Sequence, residues 1–293
     1  MILKNFKQFV NESNDSDLEV MIKSRDLKIS YVDENGDIYY NSSSYDSVAI
    51  NSKMVNNNKL SIKFDKVDED FKVQYLDVNT FEGFPNHVGK SLYVSNNDID
   101  SLKYSPNFIG KHFIMQNNHS LISLDHFPEH VGSYIDFSGC SLTSLEGLPE
   151  NVNDDLHLAN NNLQNLKGAP KSVDGSFVLS GNKNLTSLEG FPGVVTGKAI
   201  LLECENLKSL YGITNRVQKV VTPTHLKTEE DFINNYEMAV LHNKNYWKEL
   251  LEFVIKNNKT VTSVNWPQDI IDTMPQNVKN LVISQNTVGK FNL

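Results

Sequence analysis

Pro85, Pro106, Pro128, Pro149, Pro170 and Pro192 follow one another at intervals of 21, 22, 21, 21 and 22 residues. Unrelated loops do not space prolines so evenly, so the segment is a repeat whose units fold alike and lie against one another. Three positions after each proline stands an aliphatic residue: Val88, Ile109, Val131, Val152, Val173 and Val195. This column is expected to be buried. Seven and nine positions after the proline come Leu92 and Val94, Phe113 and Met115, Ile135 and Phe137, Leu156 and Leu158, Phe177 and Leu179, and Ala199 and Leu201. Apolar residues two apart mark a short strand with one face turned inward.

Three residues past the second strand position stand Asn97, Asn118, Cys140, Asn161, Asn182 and Cys204. An inward polar side chain is costly unless its donors and acceptors are met, and stacked corners let each Asn amide bond the backbone of the next turn. Cysteine suits the same place because it is small and easily buried. The unit closes on aliphatic pairs such as Ile99 and Leu102, or Leu163 and Leu166. The two units of 22 residues carry their extra residue just before that pair, at Ser120 and Asn184.

On these residues the chain resembles the leucine-rich-repeat family. The signature L-x-x-L-x-L-x-x-N/C-x-L is met by Leu156-His157-Leu158-Ala159-Asn160-Asn161-Asn162-Leu163 and its neighbours, and the resemblance covers about residues 71 to 222. The order Leu-Glu-Gly-Leu-Pro at 145–149, recurring as Leu-Lys-Gly-Ala-Pro at 166–170 and Leu-Glu-Gly-Phe-Pro at 188–192, is similar to the short repeats of bacterial and bacteriophage members. The resemblance implies a leucine-rich-repeat solenoid, rich in β-structure with a parallel sheet. Gly followed by Pro predicts that the returning side of each coil is irregular or polyproline-like rather than helical.

Four segments are expected: a leader or tail at 1–12, an N-terminal β cap at 13–70, the solenoid at 71–222, and a helical cap at 223–293. Leu27-Lys28-Ile29-Ser30-Tyr31, Asp37-Ile38-Tyr39-Tyr40 and Leu60-Ser61-Ile62-Lys63-Phe64 alternate as strands do, and Glu34-Asn35-Gly36-Asp37 supplies a hairpin turn. Phe71, Val73, Val78 and Phe81 read as an early coil with Leu76 at its corner. Thr228-Glu229-Glu230-Asp231 resembles a capping box before Phe232, Tyr236 and Val240, and Tyr246 to Ile255 predicts a second helix. Pro275, Val278, Leu281, Ile283 and Asn286 return to the repeat pattern as a final degenerate coil.

Leu3 to Glu12 resembles the capsid-targeting leaders of bacteriophages related to the T-even group. That resemblance implies delivery into the prohead and cleavage after an Ile/Leu-x-Glu motif, for which Val10-Asn11-Glu12 is the candidate, with Val in place of Ile or Leu. Phe6, Phe9 and Val10 read equally as a terminal helix packed on the N-terminal cap.

A formal charge of −9 gives the chain no general electrostatic route onto nucleic acid or an anionic membrane. No run approaches the roughly 20 apolar residues that span a bilayer. Two cysteines without paired spacing suit a reducing compartment, the host bacterial cytoplasm if the phage resemblance holds, with packaging in the capsid as the other destination. Phosphate-loop, zinc-helix and nucleophile-elbow motifs are absent, so no catalytic residue, cofactor or metal is expected. His112, Asp136 and His157 fall on one sheet face in successive coils, but histidines scattered over a repeat surface are more commonly plain surface residues.

Residues alternating with the buried strand positions form the expected recognition face of a solenoid. One outward column holds Tyr93, Ile114, Asp136, His157, Val178 and Ile200, and the column before it His112, Tyr134, Asp155, Ser176 and Lys198. Aromatic, aliphatic and charged groups mixed on a flat sheet suit a protein partner, a host protein in the phage reading, with the oligomeric state open. The expected function is a non-enzymatic protein-protein interaction module that modifies host takeover or defence. The alternative is a virion-packaged internal or assembly protein with a structural role.

Overall fold

The computed structural model describes residues 27–42, 47–208, 210, 212–213 and 216–223. Two compact units, Met1–Pro149 and Glu150–Leu293, make up the chain. Among the described residues both are parallel-sheet β-solenoid with almost no helix. A single 3-10 turn at Ser52–Met54 is the one helical element among the described residues. The leader with Val10, Asn11 and Glu12, the segment 13–26, and the expected helices and final coil beyond residue 223 lie outside the described residues.

Each coil lays down two very short strands. The first occupies the second and third positions after the proline, and these stack into what we call the entry sheet. In the unit Met1–Pro149, His87–Val88, Phe108–Ile109 and His130–Val131 pair in parallel and in register. This is a correction to the sequence reading, in which the third position was only a buried column and no strand was expected there. Two-residue strands are too short to show alternation, and only the stacking of neighbours reveals them. The entry sheet runs further toward the N-terminus than the expected boundary at residue 70. Lys63–Val67 pairs in parallel with His87–Val88, and Ile38–Ser42 pairs in parallel with Lys63–Val67. Leu27–Val32 then closes that edge as the antiparallel arm of a hairpin. The hairpin turn expected at Glu34 to Asp37 is present, with Gly36 at φ 85° and the Asp33 carboxylate accepting from the Asn35 and Asp37 amides at 3.0 and 2.9 Å.

The second strand of each coil begins at the seventh position after the proline and builds the corner sheet. Val48–Ala49, Phe71–Lys72, Leu92–Tyr93, Phe113–Ile114 and Ile135–Asp136 follow one another in parallel. In the unit Glu150–Leu293, Leu156–His157 pairs with Phe177–Val178, and Asn151–Val152 with Ser172–Val173. The next coil there fuses both short strands into one strand of seven residues, Val194–Ile200, which pairs with both predecessors and with Val217–Val221.

Inside each coil the apolar columns close on one another. Leu92, Phe113, Leu156, Phe177, Leu142, Leu163 and Leu185 are all wholly buried, each removing apolar area from water at about 25 cal/mol per Å². Phe113 meets Phe81 and Phe137 edge to face, with ring centres 6.4 and 5.2 Å apart. Val131 departs from its column and is only half-buried.

The Asn corners meet their donors and acceptors through backbone. Asn118 accepts from the Ile99 amide at 3.1 Å and donates to the Val94 and Met115 carbonyls at 2.8 Å each. Asn97 does the same for Leu76, Val78 and Val73, and Asn182 for Leu163, Leu158 and Leu179. Where a cysteine replaces the amide, the side chain still bonds backbone: Cys140 Sγ reaches the Met115 carbonyl at 3.4 Å, and Cys204 Sγ the Leu179 carbonyl at 3.3 Å. The segment before each proline is a tight turn, as in Leu102–Ser105, Leu145–Leu148 and Leu188–Phe191, where the fourth amide returns to the first carbonyl at 2.9, 3.2 and 3.0 Å. Its third residue has positive φ, at Gly147, Gly168 and Gly190, which glycine adopts freely.

The extra residue of the longer coils sits in an exposed bend. Leu121 donates to the Asn118 carbonyl at 3.1 Å and Leu185 to the Asn182 carbonyl at 3.0 Å. His119, Ser120, Lys183 and Asn184 all lie in solvent there.

Candidate binding face

In each unit the outward side of the corner strands carries expected partner-facing residues. Its rigidity comes from backbone pairing: in the unit Met1–Pro149 the Leu92 and Val94 amides donate to the His112 and Ile114 carbonyls, each at 2.8 Å. Phe113 and Met115 repeat this with Tyr134 and Asp136 at 2.9 and 2.8 Å. Inward partners lock each strand, so Tyr93, Ile114, His112 and Tyr134 are presented half-buried on a fixed frame. The Lys72 ammonium lies 5.3 Å from the Tyr93 ring centre. His112 and Tyr134 meet edge to face at 5.9 Å.

Asp136 does not belong to that open surface. It is 1% exposed, which corrects its assignment as an outward contact residue. Its Oδ2 accepts from the Tyr134 hydroxyl at 2.5 Å and from Gln116 Nε2 at 2.6 Å, while its Oδ1 accepts from the Ser138 amide at 2.8 Å. A carboxylate bound by three donors is satisfied where it stands and acts as the fastener that holds Tyr134 and Gln116 in place. Beside it, the buried Nδ1 of His112 has no hydrogen-bond partner.

In the unit Glu150–Leu293 the corresponding positions carry Asp155, His157, Ser176 and Lys198 beside Val178 and Ile200. His157, Val178 and Ile200 are half-buried on the outer face, and Lys198 is exposed. Asp155 accepts from the Ser176 amide at 2.5 Å, and its other oxygen lies 3.9 Å from His157 Nε2. This patch therefore offers two aliphatic residues with a polar rim, the ordinary make-up of a protein contact surface.

Neither cysteine offers a reactive centre. Burial pushes the Cys140 thiol up to about 12 and the Cys204 thiol up to about 11, so both are neutral thiols at neutral pH. Among the described residues, no three His, Cys, Asp or Glu side chains are gathered as a metal ion needs. Among the same residues, no helix is long and apolar enough to cross a membrane.

Two ladders went unread in the sequence. The residue before each corner has positive φ: Tyr75, Asn96, Asn117, Gly139, Asn160, Gly181 and Glu203. The alternation of Asn and Gly there was the available signal, since these two residues tolerate left-handed backbone best. On the entry sheet His87, Phe108 and His130 stack nearly parallel, with ring centres 4.5 and 4.6 Å apart. Three aromatic rings at the second position after successive prolines would have disclosed that stack.

No known protein family, no curated protein and no solved structure matches this chain.

Proposed function

We propose that the chain is a leucine-rich-repeat protein of the short bacterial and bacteriophage type, serving as a non-enzymatic binding module for a host protein. The single observation that carries this reading is the pair of half-buried apolar patches on rigid corner strands: Tyr93 and Ile114 in one unit, Val178 and Ile200 in the other. Apolar side chains held on fully paired strands are prepared for a complementary surface, since little ordering entropy remains to be lost on contact. The leucine and Asn/Cys columns support the family assignment, and the leader-like residues 1–12 support a phage origin.

Those leader-like residues also favour a second reading, a protein packaged in the virion or used in its assembly. Affinity capture from infected host lysate, run beside mass spectrometry of purified particles, separates the two. A stoichiometric partner retained by the natural chain and lost by Ile114→Glu and Ile200→Glu supports the binding module. High copy number in particles with residues 1–12 removed supports packaging and sinks the first reading.

A further inference from the structure

A cavity of about 650 Å³ opens in the unit Met1–Pro149, where the Asp33–Asp37 hairpin turn stands over the tight turns of the coils. That volume is within the range of sites that take a small ligand or a few side chains. Its charge is one-sided: Asp33, Asp37, Glu82 and Glu129 line it with Lys63 as the single lysine. Lys63 pairs with Asp37, and Glu82 is met from outside the lining by Lys59 at 3.1 Å. Asp33 spends one oxygen on its own turn, at 2.9 and 3.0 Å. Glu129 carries its carboxylate exposed, with no ion pair among the described residues.

Aromatic surface completes the lining. Tyr104 is 61% exposed at the cavity, and the Lys103 ammonium lies 4.9 Å from its ring centre. Tyr39, also in the lining, has the Lys63 ammonium 5.5 Å from its ring. Both rings thus already accept cations from the chain itself. A planar guanidinium suits such a place better than an ammonium, because it stacks on a ring while its edge donates to carboxylates.

We propose that this cavity receives an arginine side chain from a partner polypeptide, stacked on Tyr104 and paired with Glu129. The site uses neither Tyr93 nor Ile114 and stands or falls apart from the corner-sheet reading.

The test is an NMR titration of the full chain, isotope-labelled, with N-acetyl-argininamide and with a capped tri-arginine peptide. The expected result is shifts concentrated at the amides of Tyr104, His126 and Glu129. Affinity for the peptide should fall about three- to tenfold in Glu129→Gln. A similar fall is expected in Tyr104→Gly, which removes the ring while suiting the positive φ of 67° found there. Glu189→Gln, an exposed acid of the unit Glu150–Leu293, should leave affinity unchanged. Shifts spread over the acidic surface with an equal loss in Glu189→Gln would overturn the proposal. So would silence with both arginine probes, or the same amides responding to a neutral oligosaccharide such as maltotetraose instead.

Discussion

At the second position after the proline, the unit Met1–Pro149 stacks His87, Phe108 and His130 ring on ring. The unit Glu150–Leu293 has Asn151, Ser172 and Val194 there, and Ser172 donates to Asn151 at 2.8 Å. Two positions further on the units differ again. The first has Gly89, Gly110 and Gly132, where a Cβ would come within about 2 Å of the carbonyl of the neighbouring coil. The second has Asn153, Asp174 and Thr196, and its glycines come one residue later, at 175 and 197. Yet the backbone bond at this bend is the same: Gly110 donates to the Val88 carbonyl and Asp174 to the Val152 carbonyl, each at 2.9 Å. A coil of this kind is defined by its inward columns and its corner amides, while the outward columns and the details of the bend are free to diverge.

The sharpest test of that division is Gly110→Ala against Asp174→Ala. The first must displace backbone at a contact of 2.0 Å and is expected to cost about 3 kcal/mol. The second changes an exposed side chain and should stay within about 0.5 kcal/mol. Denaturant unfolding of both variants measures the difference, and equal costs would erase the distinction between the two bends. Asn118→Ala and Asn182→Ala probe what the units share. Each removes three hydrogen bonds to buried backbone and leaves one buried amide, of Ile99 or Leu163, without its acceptor, so each is expected to cost about 2–3 kcal/mol. A gap above about 1 kcal/mol between them would mean the corners are not equivalent.

Phe108→Ala against Ser172→Ala addresses the outward ladder: about 1 kcal/mol for the stacked ring, and a few tenths for the exposed hydroxyl. The aromatic ladder also carries a pH signature. Burial, helped by the charge of Lys66, holds His87 below the ordinary histidine range, with Asp68 opposing. A lowered folded pKa means the unfolded chain takes up the proton first. The unit Met1–Pro149 should therefore lose stability as pH falls through about 6.5, and His87→Gln should flatten that slope. Cys140 and Cys204 report on the units one by one. Neither should react with a thiol reagent at pH 8 while folded, and labelling during a denaturant ramp would show which unit opens first.

The columns that recur in every coil were legible because burial acts on each coil alike. Leu158, Leu179 and Leu201 point inward, and Asn97, Asn118 and Asn182 bond backbone as expected. Features belonging to one place were not. Asp136 is covered because Tyr134 and Gln116 close on it, a combination that no periodicity announces. The entry strands escaped notice because two residues cannot display a pattern of period two. The N-terminal boundary moved for a related reason: Tyr40, Phe64 and Val67 are as buried as any leucine of the coils, but the prolines that mark the coils begin only at Pro85.

The bends after Asn118, Asn182 and Cys204 hold one residue more than those after Asn97, Cys140 and Asn161, while the strands on either side of the first two stay aligned. Length changes there are absorbed locally and never reach the next leucine. An epitope or fluorophore spliced between His119 and Ser120 would ride on the molecule as passenger sequence, and natural drift in coil length has the same harmless outlet.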